Sequence, residues 1–98
     1  MDLMLHVVIR GRVQGIGYRA WTEEEARERG IVGWVRNRRD GSVEALLAGA
    51  GEDVRAMIDA CRQGPPGARI DAIDQRTGTA GELALRRAGE DFSVLATL

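Results

Sequence analysis

Val54, Met57, Ile58 and Cys61 stand at i, i+3, i+4 and i+7. That spacing lines four apolar side chains along one side of a helix, and such a stripe must be buried against another element. Glu52 and Asp53 open the segment, Arg62 lies at its end, and Gly64-Pro65-Pro66-Gly67 stops it. The charges suit a helix dipole and the Gly/Pro run forbids continuation. The flanking segments have the other period. Leu5, Val7, Ile9 and Val13 share one face of an extended stretch, with His6, Val8, Arg10 and Arg12 on the other. This predicts a first strand with one well-buried face.

The remaining elements obey the same two periods. Gly15 and Gly17 break the first strand, and a helix is expected from about Arg19 to Arg29, with Tyr18, Thr22 and Ala26 turned inward beside Trp21 and Gly30 as its stop. Glu23-Glu24-Glu25 falls in its N-terminal part, the dipole-favoured end. Ile31–Arg38 reads as a second strand. Asp40-Gly41 is a tight-turn signal, and Val43, Ala45 and Leu47 alternate beyond it, completing a hairpin. Ala68–Thr77, with Ile70, Ala72 and Ile73, is a fourth strand, and Phe92–Leu98 a last one. Between them, Glu82–Ala88 fits a strand, a helical turn or a loop. The order β-α-β-β-α-β plus a C-terminal strand predicts an α+β, ferredoxin-like sandwich, an antiparallel sheet with both helices on one face. At 98 residues, with 44% hydrophobic and 30% charged content, the chain has room for one core and is expected to form a single domain over residues 1–98.

Charge and residue usage remove whole classes of function. All 14 basic residues are arginine, against 15 acids, for a formal net charge of −1. A nucleic-acid partner is therefore not expected, since such domains carry a clear positive excess. With no lysine there is no Schiff base and no phosphate-loop lysine. One histidine, His6, and one cysteine, Cys61, leave no two-histidine or multi-cysteine metal set, and the lone thiol suits a reducing cytoplasm. No apolar run reaches the roughly 18 residues of a membrane span. The opening Met1-Asp2-Leu3-Met4-Leu5-His6 lacks the basic, then apolar, layout of a secretory signal.

In the expected topology the first and second strands run parallel with the third between them. Their C-terminal ends then lie at the same sheet end, roughly 9–10 Å apart across two strand spacings. The loop Gln14–Arg19 leaves one of these ends and Asn37 closes the other. Gly15 and Gly17 let the backbone curl with its N–H groups inward, the helix adds its positive end, and Arg19 adds a planar two-pronged cation. That combination suits an anion. Each part has a plainer reading on its own: the glycines as a turn, Arg19 as a solvated charge, Asn37 as a turn residue ahead of Asp40-Gly41.

Gly11-Arg12-Val13-Gln14-Gly15-Ile16-Gly17-Tyr18-Arg19 resembles the first signature of the acylphosphatases. Gly33-Trp34-Val35-Arg36-Asn37-Arg38-Arg39-Asp40-Gly41-Ser42-Val43-Glu44 resembles the second, in the right order and at the right spacing. The likeness runs from about Leu5 to Asp74 and returns at Phe92–Thr97, while Gln75–Asp91 is not a clear match. The resemblance implies hydrolysis of the carboxyl–phosphate anhydride of a small acyl phosphate. It implies phosphate binding by Arg19 and by the backbone amides of Gly15, Ile16, Gly17 and Tyr18, and a water oriented by Asn37. It implies no metal, no other cofactor and no covalent phosphoenzyme.

The other chemically capable residues have plain structural readings. His6 sits at the wrong end of its strand for catalysis. Cys61 completes an apolar stripe. Trp21 and Trp34 read as packing groups. Arg36, Arg38 and Arg39 read as exposed charge that could steer anions. An RNA-binding module would need exposed aromatics on the central strands, and Val43–Leu47 has none. A purely regulatory binding domain leaves Arg19 and Asn37 unexplained. A carbamoyl-phosphate-handling domain of a larger maturation enzyme would bring zinc-binding cysteines. A cytoplasmic monomer is the expected state.

Overall fold

The computed structural model describes residues 3–98, so Met1 and Asp2 of the opening segment lie outside the described residues. The chain runs β1 (Leu3–Arg12), α1 (Tyr18–Glu28), β2 (Val32–Asn37), β3 (Val43–Gly49), α2 (Gly51–Gln63), β4 (Arg69–Thr77), α3 (Ala80–Leu83) and β5 (Phe92–Val94). The sheet order is β4-β1-β3-β2-β5. β3 therefore lies between β1 and β2 and pairs antiparallel with both. This is the expected ferredoxin-like arrangement. The sheet is mixed rather than wholly antiparallel, because β5 adds to β2 in parallel, Gly33 opposite Phe92 and Val35 opposite Val94.

The two long helices, α1 and α2, cover one face. Val7 and Ile9 of β1, Val35 of β2 and Val43, Ala45 and Leu47 of β3 meet Tyr18 and Ala26 of α1 and Val54, Met57, Ile58 and Cys61 of α2 in one buried core. The predicted α2 stripe is buried at all four positions. Tyr18, Thr22 and Ala26 are the buried residues of α1. That helix starts at Tyr18, so Glu23-Glu24-Glu25 lies beyond its first turn, which holds no acid. Glu23 and Glu25 instead pair with Arg27 and Arg29 one turn on, at 3.2 and 3.0 Å.

The opposite face of the sheet is also covered, against the expectation of a single buried face for β1. His6 and Val8 are buried, with Trp34, Leu46 and Ala48. The ambiguous stretch after Thr77 provides part of the cover. Thr79 and Glu82 form a reciprocal capping box that starts α3, Trp34 Nε1 donates to the Glu82 carbonyl at 2.7 Å, and Gly78 lies against Leu46 and Met4. β5 is three residues long, shorter than the Phe92–Leu98 expected. Beyond it the chain still tracks β2, with Leu95 N–H donating to the Val35 carbonyl and Leu98 N–H to that of Asn37.

A polar cluster sits under this second face. Glu44 accepts from His6 Nε2 and Arg36 Nε, both at 2.6 Å. The Arg36 guanidinium lies 4.6 Å from the Trp34 ring centroid. Arg36 is thus committed to a partner and is not the free surface charge its place in the sequence suggests. Burial works to raise the Glu44 pKa, and the hydrogen bonds from Arg36 and His6 outweigh it, leaving the carboxyl below its usual value. A carboxyl depressed in the folded state adds stability above its unfolded pKa, and that stability is lost as pH falls through the folded value. Glu44→Gln is expected to cost about 2 kcal/mol at pH 7, and the cost should shrink below the normal carboxylate range, read by urea denaturation across pH 3–7.

Candidate active site

The cleft lies where β1 and β2 end. β1 stays level with β3 as far as Ile9, opposite Val43. It then continues beside β4 alone through Arg12, with a register shift between Arg10 and Gly11. A bulge of this kind bends a strand and re-aims the chain beyond it. Asn37, the last residue of β2, also lies opposite Val43, from the other side. The loop after β1 and the side chain of Asn37 consequently share one edge of the sheet.

Gly15 and Gly17 take φ of +77° and +80°. A Cβ at either would meet nothing within 4 Å, so glycine is required there by backbone conformation and not by crowding. Gly17 is also the N-cap of α1, and no side chain caps that end. Its first N–H groups are left to face the cleft, with the positive end of the helix dipole behind them. α2 likewise has no side-chain cap, but it carries Glu52 and Asp53 in its first turn, which that of α1 lacks.

A cleft of about 320 Å³ opens here, lined by Gln14, Gly15, Gly17, Tyr18, Arg19 and Asn37 together with Val13, Ala20, Glu23 and Val94. Arg19 is half-buried, and among the described residues no carboxylate pairs with it, whereas the half-buried Arg29 and Arg36 each hold a glutamate. Asn37 Oδ1 is buried and has no hydrogen-bond partner. An orphaned acceptor costs free energy unless something meets it. The cleft thus combines an uncommitted cation, uncapped helix amides and an unsatisfied acceptor, an arrangement fitted to an anion and a polar molecule beside it.

The side chains of Ile16 and Tyr18 are engaged elsewhere. Ile16 is outside the cleft lining and packs its side chain on the core. Tyr18 is buried and its hydroxyl donates to the Cys61 carbonyl at 2.8 Å. Burial drives the Tyr18 phenol well above its usual pKa and pushes the Cys61 thiol up to about 11. Both groups are neutral near pH 7 and belong to the α1–α2 contact. Trp21 leans on Tyr18, with ring centroids 5.3 Å apart. His6 is bound to Glu44 under the other face.

Glu23, Ala20 and Val94 escaped the sequence reading. Glu23 could have been found, since it stands four residues after Arg19 and so shares its helix face. Val94 could not, because its place depends on the parallel pairing of β5 with β2.

The acylphosphatase family model matches residues 5–92. The chain belongs to the acylphosphatase family. It is 61% identical over 95 residues to an acylphosphatase of Bradyrhizobium diazoefficiens, covering 97% of this chain and 96% of that one. It is 52% identical to one of Nitrobacter hamburgensis, covering 99% and 98%. The crystal structure of acylphosphatase from Bacillus subtilis superposes with a TM-score of 0.81 at 30% identity, covering 94% of this chain and 97% of that one. Acylphosphatases are hydrolases that act on acid anhydrides. The burial of Tyr18 and its bond to the Cys61 carbonyl make it a packing side chain. Tyr18→Phe is expected to lower stability by about 1 kcal/mol, the net value of one hydrogen bond, and to leave hydrolysis of an acyl phosphate within twofold of wild type, measured by denaturant unfolding and a steady-state assay.

Proposed function

We propose that this protein hydrolyses the carboxyl–phosphate anhydride of small acyl phosphates to a carboxylate and inorganic phosphate. The observation that carries the reading is the pairing, in one cleft, of the uncommitted Arg19 with the partnerless Oδ1 of Asn37. Arg19 and the N–H groups of Gly15, Ile16, Gly17 and Tyr18 hold the phosphate and spread its charge in the transition state. Asn37 Oδ1 accepts a hydrogen bond from a water and so aims it in line with the departing oxygen. The water oxygen bonds to phosphorus while the P–O bond to the acyl group breaks. The carboxylate leaves with the electron pair, and the water proton passes to a phosphate oxygen. The leaving group is the conjugate base of an acid with a pKa of about 4, so it needs no general acid.

On this scheme the charge is met by Arg19 and the amides, and the reaction is independent of metal and of any other cofactor. All the assigned residues come from one chain, so a monomer suffices. Among the described residues no helix is long and apolar enough to cross a membrane. The near-neutral charge argues against nucleic acid as a partner, and the buried, unpaired Cys61 fits a cytoplasmic setting.

Acetyl phosphate hydrolysis in the presence of EDTA tests the reading. Arg19→Ala should lower kcat/KM by about 10²–10³, with phosphate inhibition lost as well, as expected for removal of a group that binds the charge. Asn37→Ala should lower kcat by about 10² and leave inhibition by phosphate nearly unchanged. No turnover by the wild type, or full activity in both variants, overturns it.

A further inference from the structure

We propose that Gln14 is a positioning residue that sets the separation between the phosphate-holding loop and Asn37. The inference rests on the proposed function of the cleft.

β1 and β2 are not neighbours, because β3 runs between them. No backbone hydrogen bond of the sheet can therefore link the loop after β1 to the end of β2 directly. β1 has also parted from β3 after Ile9, so the strand enters the loop held by β4 alone, on the side away from β2. Gln14 spans this gap. Its Nε2 donates to the Arg38 carbonyl at 2.8 Å and to the Ser42 carbonyl at 2.9 Å. Both partners are acceptors, which fixes the amide nitrogen, with its two hydrogens, on that side.

The two carbonyls are those at the mouth of the hairpin. Arg38 N–H donates to the Ser42 carbonyl at 2.9 Å, and Gly41 N–H to that of Arg38 at 3.1 Å. Asp40 braces the same turn by accepting from Ser42 N–H and Ser42 Oγ. Gln14 is thus fastened to the residue next to Asn37 and to its cross-strand partner, at a point the turn itself keeps rigid. It also lines the cleft. A water held by Asn37 Oδ1 can attack in line only if that oxygen keeps its distance and direction from a phosphate seated on the loop. Arg10 of β1 also reaches the hairpin, at 3.5 Å from Asp40, but Gln14 is the cleft-lining side chain whose hydrogen bonds join the two bodies carrying these groups.

The test is a double-mutant cycle. Gln14→Met keeps the length of the side chain and removes both donors. Gln14→Asn keeps the donors on a stem one methylene shorter, and stands in should the Met variant fail to fold. Each is made in the wild-type and in the Asn37→Ala background. Steady-state acetyl phosphate hydrolysis, inhibition by inorganic phosphate and thermal unfolding are measured for all. Either Gln14 variant should lower kcat about tenfold, in line with a misplacement of a few tenths of an ångström to one ångström. Phosphate inhibition should stay within about threefold, and the same substitution should lower kcat less than about twofold when Asn37 is already alanine. A tenfold loss in both backgrounds, a loss that tracks the melting temperature and phosphate affinity together, or no loss at all overturns the inference. Wild-type turnover with an impaired Asn37→Ala enzyme tests the proposed function separately, so the two readings can fail independently.

Discussion

Everything at the active edge depends on the double pairing of Val43. Ile9 of β1 lies opposite it on one side and Asn37 of β2 on the other. This one rung sets Asn37 level with the last residue of β1 that the central strand holds. A shift of one residue in the β2–β3 pairing would turn the side chain of Asn37 to the other sheet face, and the same shift in the β1–β3 pairing would turn Val7 and Ile9 away from the helices, because side-chain direction alternates along a strand. The register is strongly specified, since Val43, Ala45 and Leu47 must face the helices while Glu44, Leu46 and Ala48 must lie under the second cover. Both faces of β3 are buried, so neither choice of register is neutral. The packing of the core and the placement of the polar amide are thus decided by the same hydrogen-bond ladder.

What the ladder does not hold is the loop, and there the chain is irregular. β1 leaves β3, bends at the Arg10/Gly11 bulge and passes into two left-handed glycines before α1 begins without a side-chain cap. Each of these departures would normally be disfavoured: a strand end paired on one side only, an uncapped helix, a buried acceptor with no donor. They occur together within one cleft, while the opposite face satisfies its buried charge with care, Glu44 being held by both His6 and Arg36. Among the described residues the buried side-chain polar atom without a partner lies in this cleft, and groups left free by the fold are the ones a ligand can meet.

Local periodicity carried most of the fold. The alternation of β1, the α2 stripe and the Asp40-Gly41 turn are all short-range patterns, and together they imply strand order and the convergence of residues 14–19 with Asn37. The features that escaped depend on contacts between distant segments. The parallel addition of β5 has no local signature in Phe92-Ser93-Val94. The burial of His6 and Val8 comes from a cover formed by residues beyond Thr77. One part of that cover was legible, because Thr79-Ala80-Gly81-Glu82 is a capping-box pattern, and it marks where α3 starts. Arg36 looked free because Glu44, its partner, is eight residues away and meets it only across the β2–β3 ladder. Gln14 carries no local sign of its contacts, since its two acceptors lie 24 and 28 residues further on.

The 14 arginines divide according to what the fold gives them. Arg10 lies between Asp40 and Asp74, Arg27 and Arg29 hold glutamates of their own helix, Arg36 holds Glu44, and Arg76 holds Glu82. Among the described residues several arginines, the half-buried Arg38 included, pair with no acid, and of these Arg19 is the one that lines the cleft, beside the uncapped helix end. A cation in that position raises the cost of leaving the site empty, and so favours a partner of opposite sign. Its planar fork matches two oxygens at once, which a lysine ammonium would not. A chain of this size can hold such a site because the chemistry proposed for it needs so little. A carboxylate leaving group removes the need for an acid, leaving one cation, one ring of amides and one oriented water to be arranged. In the proposed scheme, two strand ends two spacings apart, tied across the gap by Gln14, arrange them.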